Sequence, residues 1–190
     1  MRKDAQARRD KIVAVAADLF EQAGYDVPLE AIAERAGVGR GTLYRNFRDR
    51  SALILEVVKL RIAEMFAVID AIHDPLQAFL ELLFRGGILT ALHSQKNVEA
   101  ERDATLNDEW QTFEADLRIS IQRVVDKAIA SGNLRADLSS NDVILMAQVL
   151  ASSVEGLPAD GRDATIRRAV DLLFSGLRPG PRRRSPRSLS

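Results

Sequence analysis

Apolar residues recur every three or four positions along most of this 190-residue sequence, a spacing typical of one face of an α-helix. The pattern predicts an all-α fold. Glycines, polar stretches and the His73-Asp74-Pro75 break divide it into separate helices, since the residue before a proline disfavours helical backbone. The predicted helices span residues 7–23, 28–36, 40–47, 50–72, 76–92, 108–131, 141–153 and 162–177. We expect residues 1–9 to fray and residues 94–107 to form a short helix or a mobile connection.

Two short predicted helices between Leu29 and Phe47 are separated by the turn Gly37-Val38-Gly39. The first has apolar residues at positions i, i+3, i+4 and i+7, and the second has Leu43 and Phe47 four residues apart. Two short helices joined by a glycine-containing turn form the helix-turn-helix pattern. We expect the preceding helix to pack across this pair and complete a three-helix core.

The second helix of the pair carries side chains suited to DNA. Arginine reaches phosphate or makes a paired hydrogen bond to guanine, asparagine matches adenine, and hydroxyl groups bond phosphate oxygens. A glycine near the helix start lets backbone amides approach a phosphate. Arg50, in the first turn of the next helix, is expected to aim back toward the DNA backbone. The predicted DNA-binding residues are Arg40, Gly41, Thr42, Tyr44, Arg45, Asn46 and Arg50.

This stretch also resembles a known family. The segment IAERAGV followed by GTLYRNF, the preceding LFEQAGY, and the F-x-x-R-x-x-L continuation in Phe47, Arg50 and Leu53 are similar to the TetR family of bacterial transcriptional repressors. The resemblance is dense from Ile12 to Leu55. Gly39 departs from it, because relatives commonly carry Ser or Thr at that helix cap, where the hydroxyl can bond a phosphate.

The resemblance implies a homodimeric repressor that releases a palindromic DNA operator on binding a small-molecule effector. It assigns Thr42 and Tyr44 to phosphate contacts. The expected organisation is a helix-turn-helix domain at residues 1–50, with the motif at 28–47, and an effector-binding and dimerisation domain at residues 51–178. Residues 179–190 are rich in Pro, Arg and Ser, which predicts a basic, disordered tail.

The fourth predicted helix has an apolar stripe too wide for one partner, so we expect it to link the DNA-binding core to the following domain. The fifth contains Gly86-Gly87, which costs about 2 kcal/mol relative to two alanines. A kink, a tight helix crossing and space left for a ligand are alternative explanations. If Trp110 and Phe113 line a pocket rather than ordinary core, the candidate pocket comprises Met65, Phe84, Gly87, Trp110, Phe113 and Leu117.

The last two predicted helices have apolar faces at the end of an already complete bundle, which leaves surface to bury against a second copy. In TetR-like proteins the corresponding pair makes a four-helix dimer interface. The alternative is that the same residues form intrachain core. The candidate interface residues are Ile144, Ala147, Leu150, Ala151, Val154, Ile166, Val170, Leu173 and Phe174.

Charge is distributed unevenly although the formal net charge is zero. Residues 1–61 carry 12 Lys and Arg against 9 Asp and Glu, residues 62–177 carry 10 against 18, and residues 178–190 carry 5 against none. A basic head on an acidic body suits a protein that meets phosphate at one end only. The N-terminal bases are further candidates for contacts to the DNA backbone or minor groove; they are Arg2, Lys3, Arg8 and Arg9.

Other site classes find little support. The run from Gly37 to Thr42 fails both nucleotide-loop templates, and His73 and His93 stand apart from any zinc-ligand spacing. We therefore expect no metal, no cofactor and no catalytic site, and keep a helical interaction module and, more weakly, a small-molecule-binding enzyme as alternatives. The lack of cysteine suits a reducing cytosol, and no apolar run approaches the roughly 18 residues that a membrane segment needs. Together with the family resemblance, this implies a cytoplasmic, nucleoid-associated protein.

Overall fold

The structure, a computed structural model, describes residues 2–93, 104–154 and 156–177. This part of the chain is all-α and contains eight helices. Their bounds are α1 Arg2–Ala23, α2 Leu29–Ala36, α3 Arg40–Asn46, α4 Arg50–Asp70, α5 Pro75–His93, α6 Ala104–Ala130, α7 Ser140–Ser152 and α8 Ala159–Leu177. The all-α prediction is thus confirmed, while the predicted basic tail lies outside the described residues.

Several helix ends follow from local chemistry. Asp49 caps α4 by accepting a hydrogen bond from the Ala52 amide at 2.7 Å, as expected of an aspartate at that position. Ser139 caps α7 in a reciprocal capping box with Asp142. Gly37 ends α2 with φ +68°, a left-handed conformation that glycine adopts without strain.

The predicted starts of α1 and α6 lie four or more residues too late along the chain. Helix α1 begins at Arg2 rather than at residue 7. The negative charge of Asp4 in the first turn interacts favourably with the positive end of the helix dipole, and Gln6 Nε2 donates a hydrogen bond to Asp10 Oδ1 at 2.7 Å. The polar first turns are therefore helical and do not fray. Helix α6 begins at Ala104 because Leu106 is buried among apolar residues of α1 to α4. The earlier residues of that predicted connection, 94–103, lie outside the described residues.

The apolar side chains form two clusters. The head cluster contains the buried faces of α1, α2 and α3, the first half of α4, and Leu106 and Trp110 from α6. The body cluster contains the second half of α4 together with α5 to α8. Ile62, near the middle of α4, packs against both clusters. Helix α4 therefore joins head and body without a flexible linker, as its wide apolar stripe predicts.

The glycine pair in α5 lies where this helix crosses α7. A side chain on Gly87 would press against Leu150 of α7 and Ile166 of α8. Of the alternatives that the sequence leaves open, the tight crossing is the one observed at Gly87. The assignment of Gly87 to a ligand pocket stays a prediction.

Candidate DNA-binding surface

Helix α3 separates a buried face from an exposed one. Leu43 and Phe47 are almost fully buried in the head cluster, while Arg40, Tyr44 and Arg45 are exposed. Helix α3 starts after Gly39 with no side-chain cap. The helix thus packs through its apolar residues and presents cations, a hydroxyl and open backbone outward.

Tyr44 is the aromatic residue at the centre of the exposed face. Its side chain is 48% exposed, and its hydroxyl lies 3.5 Å from Glu30 Oε1 of α2. An aromatic ring with a phenol group has an apolar body that water solvates poorly and a polar tip that suits a phosphate oxygen. This placement fits a ligand-contacting side chain better than a packing one.

Local hydrogen bonds order the remaining polar side chains of α3. Arg45 Nη2 donates to Thr42 Oγ1 at 3.0 Å, and Asn46 Nδ2 donates to the Thr42 carbonyl at 2.7 Å. The Asn46 amide keeps its second hydrogen and its Oδ1, the two groups that pair with adenine. Thr42 thereby holds the side chains of both neighbours along the helix.

Helix α1 adds charge that sequence reasoning did not assign to this surface. Lys11 is exposed, and its Nζ lies 3.7 Å from the point where a Cβ on Gly37 would stand. Its ammonium group therefore lies at the turn between α2 and α3. The available sequence signal was a lysine on the polar face of the helix predicted to cross the pair.

Two arginines predicted to contact DNA are turned toward the protein. Arg50 Nη1 donates to the carbonyls of Tyr25 and Val27, both at 2.6 Å. Arg9 Nη1 donates to the Asn46 carbonyl at 2.6 Å. Because carbonyls that are partly shielded from water need donors, these guanidinium groups hold the head together. The structure thus gives them a role that the sequence did not predict.

The predicted pocket residues divide between the two apolar clusters. Trp110 and Phe113 pack in or against the head cluster, whereas Met65, Phe84 and Leu117 belong to the body cluster. The Phe84 ring is covered by the Arg167 guanidinium, 3.8 Å from the ring centroid. The apolar stripe on α6 thus contributes to both clusters in turn, and the grouping of these residues into one pocket stays a prediction.

Two cavities can be described in the part of the chain that the structure covers. One of about 320 Å³ at the α4–α5 corner is lined by Ile69, Ile72, Pro75, Ala78, Val124 and the polar residues Asp70, His73 and Lys127. An open groove of about 520 Å³ between α4 and α6 is lined by Lys59, Asp108, Glu109, Thr112, Phe113 and Asp116. Phe113 is the one predicted pocket residue that lines either of these two spaces.

Most of the predicted dimer residues are instead intrachain core. Leu150, Val154 and Ile166 are at most 1% exposed in the single chain, so they have no surface to offer a second copy. Ala147, Ala151 and Val170 are also buried, and Ile144, Leu173 and Phe174 pack partly against the body cluster. The six buried residues therefore fill the intrachain core, whereas an interface through the partly buried Ile144, Leu173 and Phe174 stays a prediction. The outer faces expose Leu145 and Val149 of α7 and Leu172 of α8, each at least 54% exposed.

Within the described residues, no group of three or more His, Asp or Glu side chains is arranged to hold a metal ion. None of the described helices is both long and apolar enough to cross a membrane.

Comparison with known proteins agrees with this geometry. A family model described as bacterial regulatory proteins, tetR family, matches residues 12–57. A solved TetR transcriptional regulator from Streptomyces coelicolor is 30% identical, with a TM-score of 0.62 over 91% of this chain and 99% of that one. A TetR transcription regulatory protein from Mycobacterium vanbaalenii is 28% identical, with a TM-score of 0.65 over 94% and 99%.

Among curated relatives, an HTH-type transcriptional regulator of Staphylococcus aureus is 42% identical over 60 residues, which are 31% of this chain and 32% of the relative. The match to this relative therefore spans about a third of its length.

Proposed function

The chain belongs to the TetR family of bacterial regulatory proteins and is a DNA-binding transcriptional regulator rather than an enzyme, and from this premise we propose that it is a homodimeric repressor. The observation that carries the proposal is the exposed face of α3, where Arg40, Tyr44 and Arg45 stand outward beside the open helix start at Gly39. One such helix makes few base contacts. Two copies related by a twofold axis would read a palindrome whose half-sites lie about 34–36 Å apart, or a multiple of that spacing.

We assign the dimer contact to the outer faces of α7 and α8. Leu145 and Val149 are four residues apart and therefore share one side of α7, and Leu172 is exposed on α8. Large exposed apolar side chains on neighbouring elements are typical of protein interfaces. A symmetric contact through this face would bury the same residues from both copies.

We further propose that a small-molecule effector binds the body, residues 51–178, and releases the head, residues 1–50, from its operator. An effector acts only if it binds one dimer arrangement more tightly than the other. Helix α4 lies in both clusters, so a change in the body that tilts α4 also moves the head. Operator binding would place the protein in the cytoplasm with the chromosome.

The test is selection of bound sequences from random duplex DNA by the purified full-length chain, followed by affinity measurements at several salt concentrations. The expected result is an enriched palindrome, bound as a dimer, with an affinity that falls as salt rises. Tyr44→Ala should weaken this binding, whereas the matched variant Ile119→Ala, on α6, should not. No enriched sequence and no salt-dependent DNA affinity would instead support the helical interaction module.

A further inference from the structure

The C-terminal end of α3 is held by a side chain from α1. Helix α3 has only seven residues, and Phe47, which follows it, is already extended. The last carbonyls of a helix lack partners within the helix, and here the Asn46 carbonyl accepts a hydrogen bond from Arg9 Nη1 at 2.6 Å. A cation at this end also offsets the negative end of the helix dipole.

Two further contacts fix the Arg9 guanidinium. It lies 4.4 Å from the centroid of the Phe47 ring, within the range of a cation–π contact. Its Nη2 lies 3.2 Å from Glu56 Oε2 on α4. Arg9 therefore contacts the end of α3, the residue after it and α4, and the planar guanidinium suits such fixed geometry better than a lysine ammonium would.

Glu56 is itself held in place. Lys59, one turn further along α4, donates to Glu56 Oε1 at 3.0 Å. Burial acts to raise the pKa of Glu56, but the hydrogen bonds and charges of Lys59 and Arg9 outweigh it, so the pKa lies below the ordinary value. The carboxylate is thus charged at neutral pH and holds Arg9 from the α4 side.

A second arginine ties α4 to the other end of the helix-turn-helix. Arg50, the first residue of α4, donates to the Tyr25 and Val27 carbonyls in the segment that precedes α2. Helix α4 therefore holds the motif at both ends, directly through Arg50 and indirectly through Glu56 and Arg9.

We propose that Arg9 is a positioning residue for sequence recognition, which sets the angle of α3 in the DNA groove and couples that angle to α4 through Glu56. This inference rests on the proposed operator binding. Arg9 does not read bases or bind phosphate; it aligns the residues of α3 that do.

A purely electrostatic role and a positioning role predict opposite effects of removing the Glu56 carboxylate. If the charges of the head acted on DNA only through their sign, removing the Glu56 carboxylate would strengthen binding to every sequence. If Glu56 positions α3 through Arg9, the same change weakens binding to the operator. Glu56→Gln preserves the size of the side chain, so this comparison is available even if Arg9→Ala fails to fold.

The experiment measures the affinity of the full-length dimer for the selected operator and for an unrelated duplex over a range of salt concentrations. The variants are Arg9→Ala, Glu56→Gln and the double substitution, with Arg35→Ala and Glu34→Gln as controls that remove the same charges from exposed positions of the head. Ile12→Val, a substitution in the buried core of the head cluster, controls for destabilisation. Thermal unfolding confirms that each variant is folded at the temperature of the binding assay.

We expect Arg9→Ala and Glu56→Gln each to reduce the ratio of operator to unrelated-duplex affinity roughly tenfold, the scale of one lost base contact. The salt slope should not change, and the double variant should lose no more than the worse single variant. The three control variants should keep the wild-type ratio.

Three results would overturn the inference while leaving the proposed function intact. One is stronger binding of Glu56→Gln to all sequences. Another is an Arg9→Ala variant that keeps its base preference while its salt slope falls by about one, which would make Arg9 a phosphate contact. The third is an equal loss of the ratio in Ile12→Val. A wild-type protein that selects no sequence would instead refute the proposed function itself.

Discussion

Gly87 faces Leu150 at the crossing of α5 and α7 so closely that a Cβ on Gly87 would lie 3.0 Å from Leu150 Cβ. The same atom would lie 3.3 Å from Ile166 Cγ2 of α8. Gly86, the preceding residue, is different, because its Cβ would lie 3.8 Å from Ala147 Cβ, an ordinary van der Waals separation. One glycine of the pair is thus required by packing and the other is not.

Alanine substitutions of the two glycines should therefore act in opposite directions. Gly86→Ala should raise the free energy of unfolding by about 0.5–1 kcal/mol, because alanine is the better helix former. Gly87→Ala should lower it by about 1–3 kcal/mol, since Leu150 Cβ is attached to the α7 backbone and cannot rotate away. Denaturant unfolding of both variants at one protein concentration measures the difference. Equal stabilisation by both would mean that α7 moves aside freely.

The same crossing explains which parts of the body could be predicted from sequence. Periodicity identified the helices and their buried faces, because a stripe of apolar residues must be covered. Periodicity does not identify the element that covers the stripe. The stripe through Leu150 and Ile166 faces α5 within the chain, and the sequence signal for that partner was Gly86-Gly87, which left a crossing, a kink and a ligand space open.

A related limit applies to the arginines of the head. The helix-turn-helix, its buried residues and its exposed face follow from spacing and turn chemistry. However, an arginine beside that motif can donate equally well to a phosphate or to a backbone carbonyl. Arg9 and Arg50 bond carbonyls of Asn46, Tyr25 and Val27, and only the folded arrangement of α1, α3 and α4 reveals those partners.

The proposed dimer face can be tested on α7. Leu145→Glu places a charge on an exposed apolar position, where it would face its own copy across a symmetric interface. The dissociation constant of the dimer should therefore rise by about tenfold or more relative to the wild type. Light scattering after size exclusion measures the mass. Ile119→Glu is the matched control, since Ile119 is 69% exposed on α6, and it should remain dimeric. Loss of the dimer in Ile119→Glu alone would instead indicate that the interface lies on α6.

The lowered pKa of Glu56 predicts a pH-dependent contribution to stability. Its folded-state pKa lies below the ordinary value because of Lys59 and Arg9, which together outweigh the effect of burial. The contribution is therefore fully present above about pH 4.3, the usual value for a glutamate, and is lost as pH falls through the lower folded-state pKa. Glu56→Gln should be less stable than wild type at pH 7, and the gap should narrow below pH 4.3. Glu34→Gln, at an exposed position, should differ little from wild type at either pH.

Alanine substitutions of Arg40 and Arg50 should affect DNA recognition and protein stability separately. Arg50→Ala leaves the carbonyls of Tyr25 and Val27 without their charged donor and should lower the free energy of unfolding by about 1–3 kcal/mol. Arg40 is exposed, so Arg40→Ala should change stability by less than about 0.5 kcal/mol while relaxing base preference at one operator position. Denaturant unfolding and a repeated sequence selection measure the two effects. Arg50 stabilises the protein through the segment before α2, and Arg40 has no such contact to lose if it lies on the outer face. A loss of stability in Arg40→Ala equal to that in Arg50→Ala would therefore contradict the assignment of Arg40 to that face.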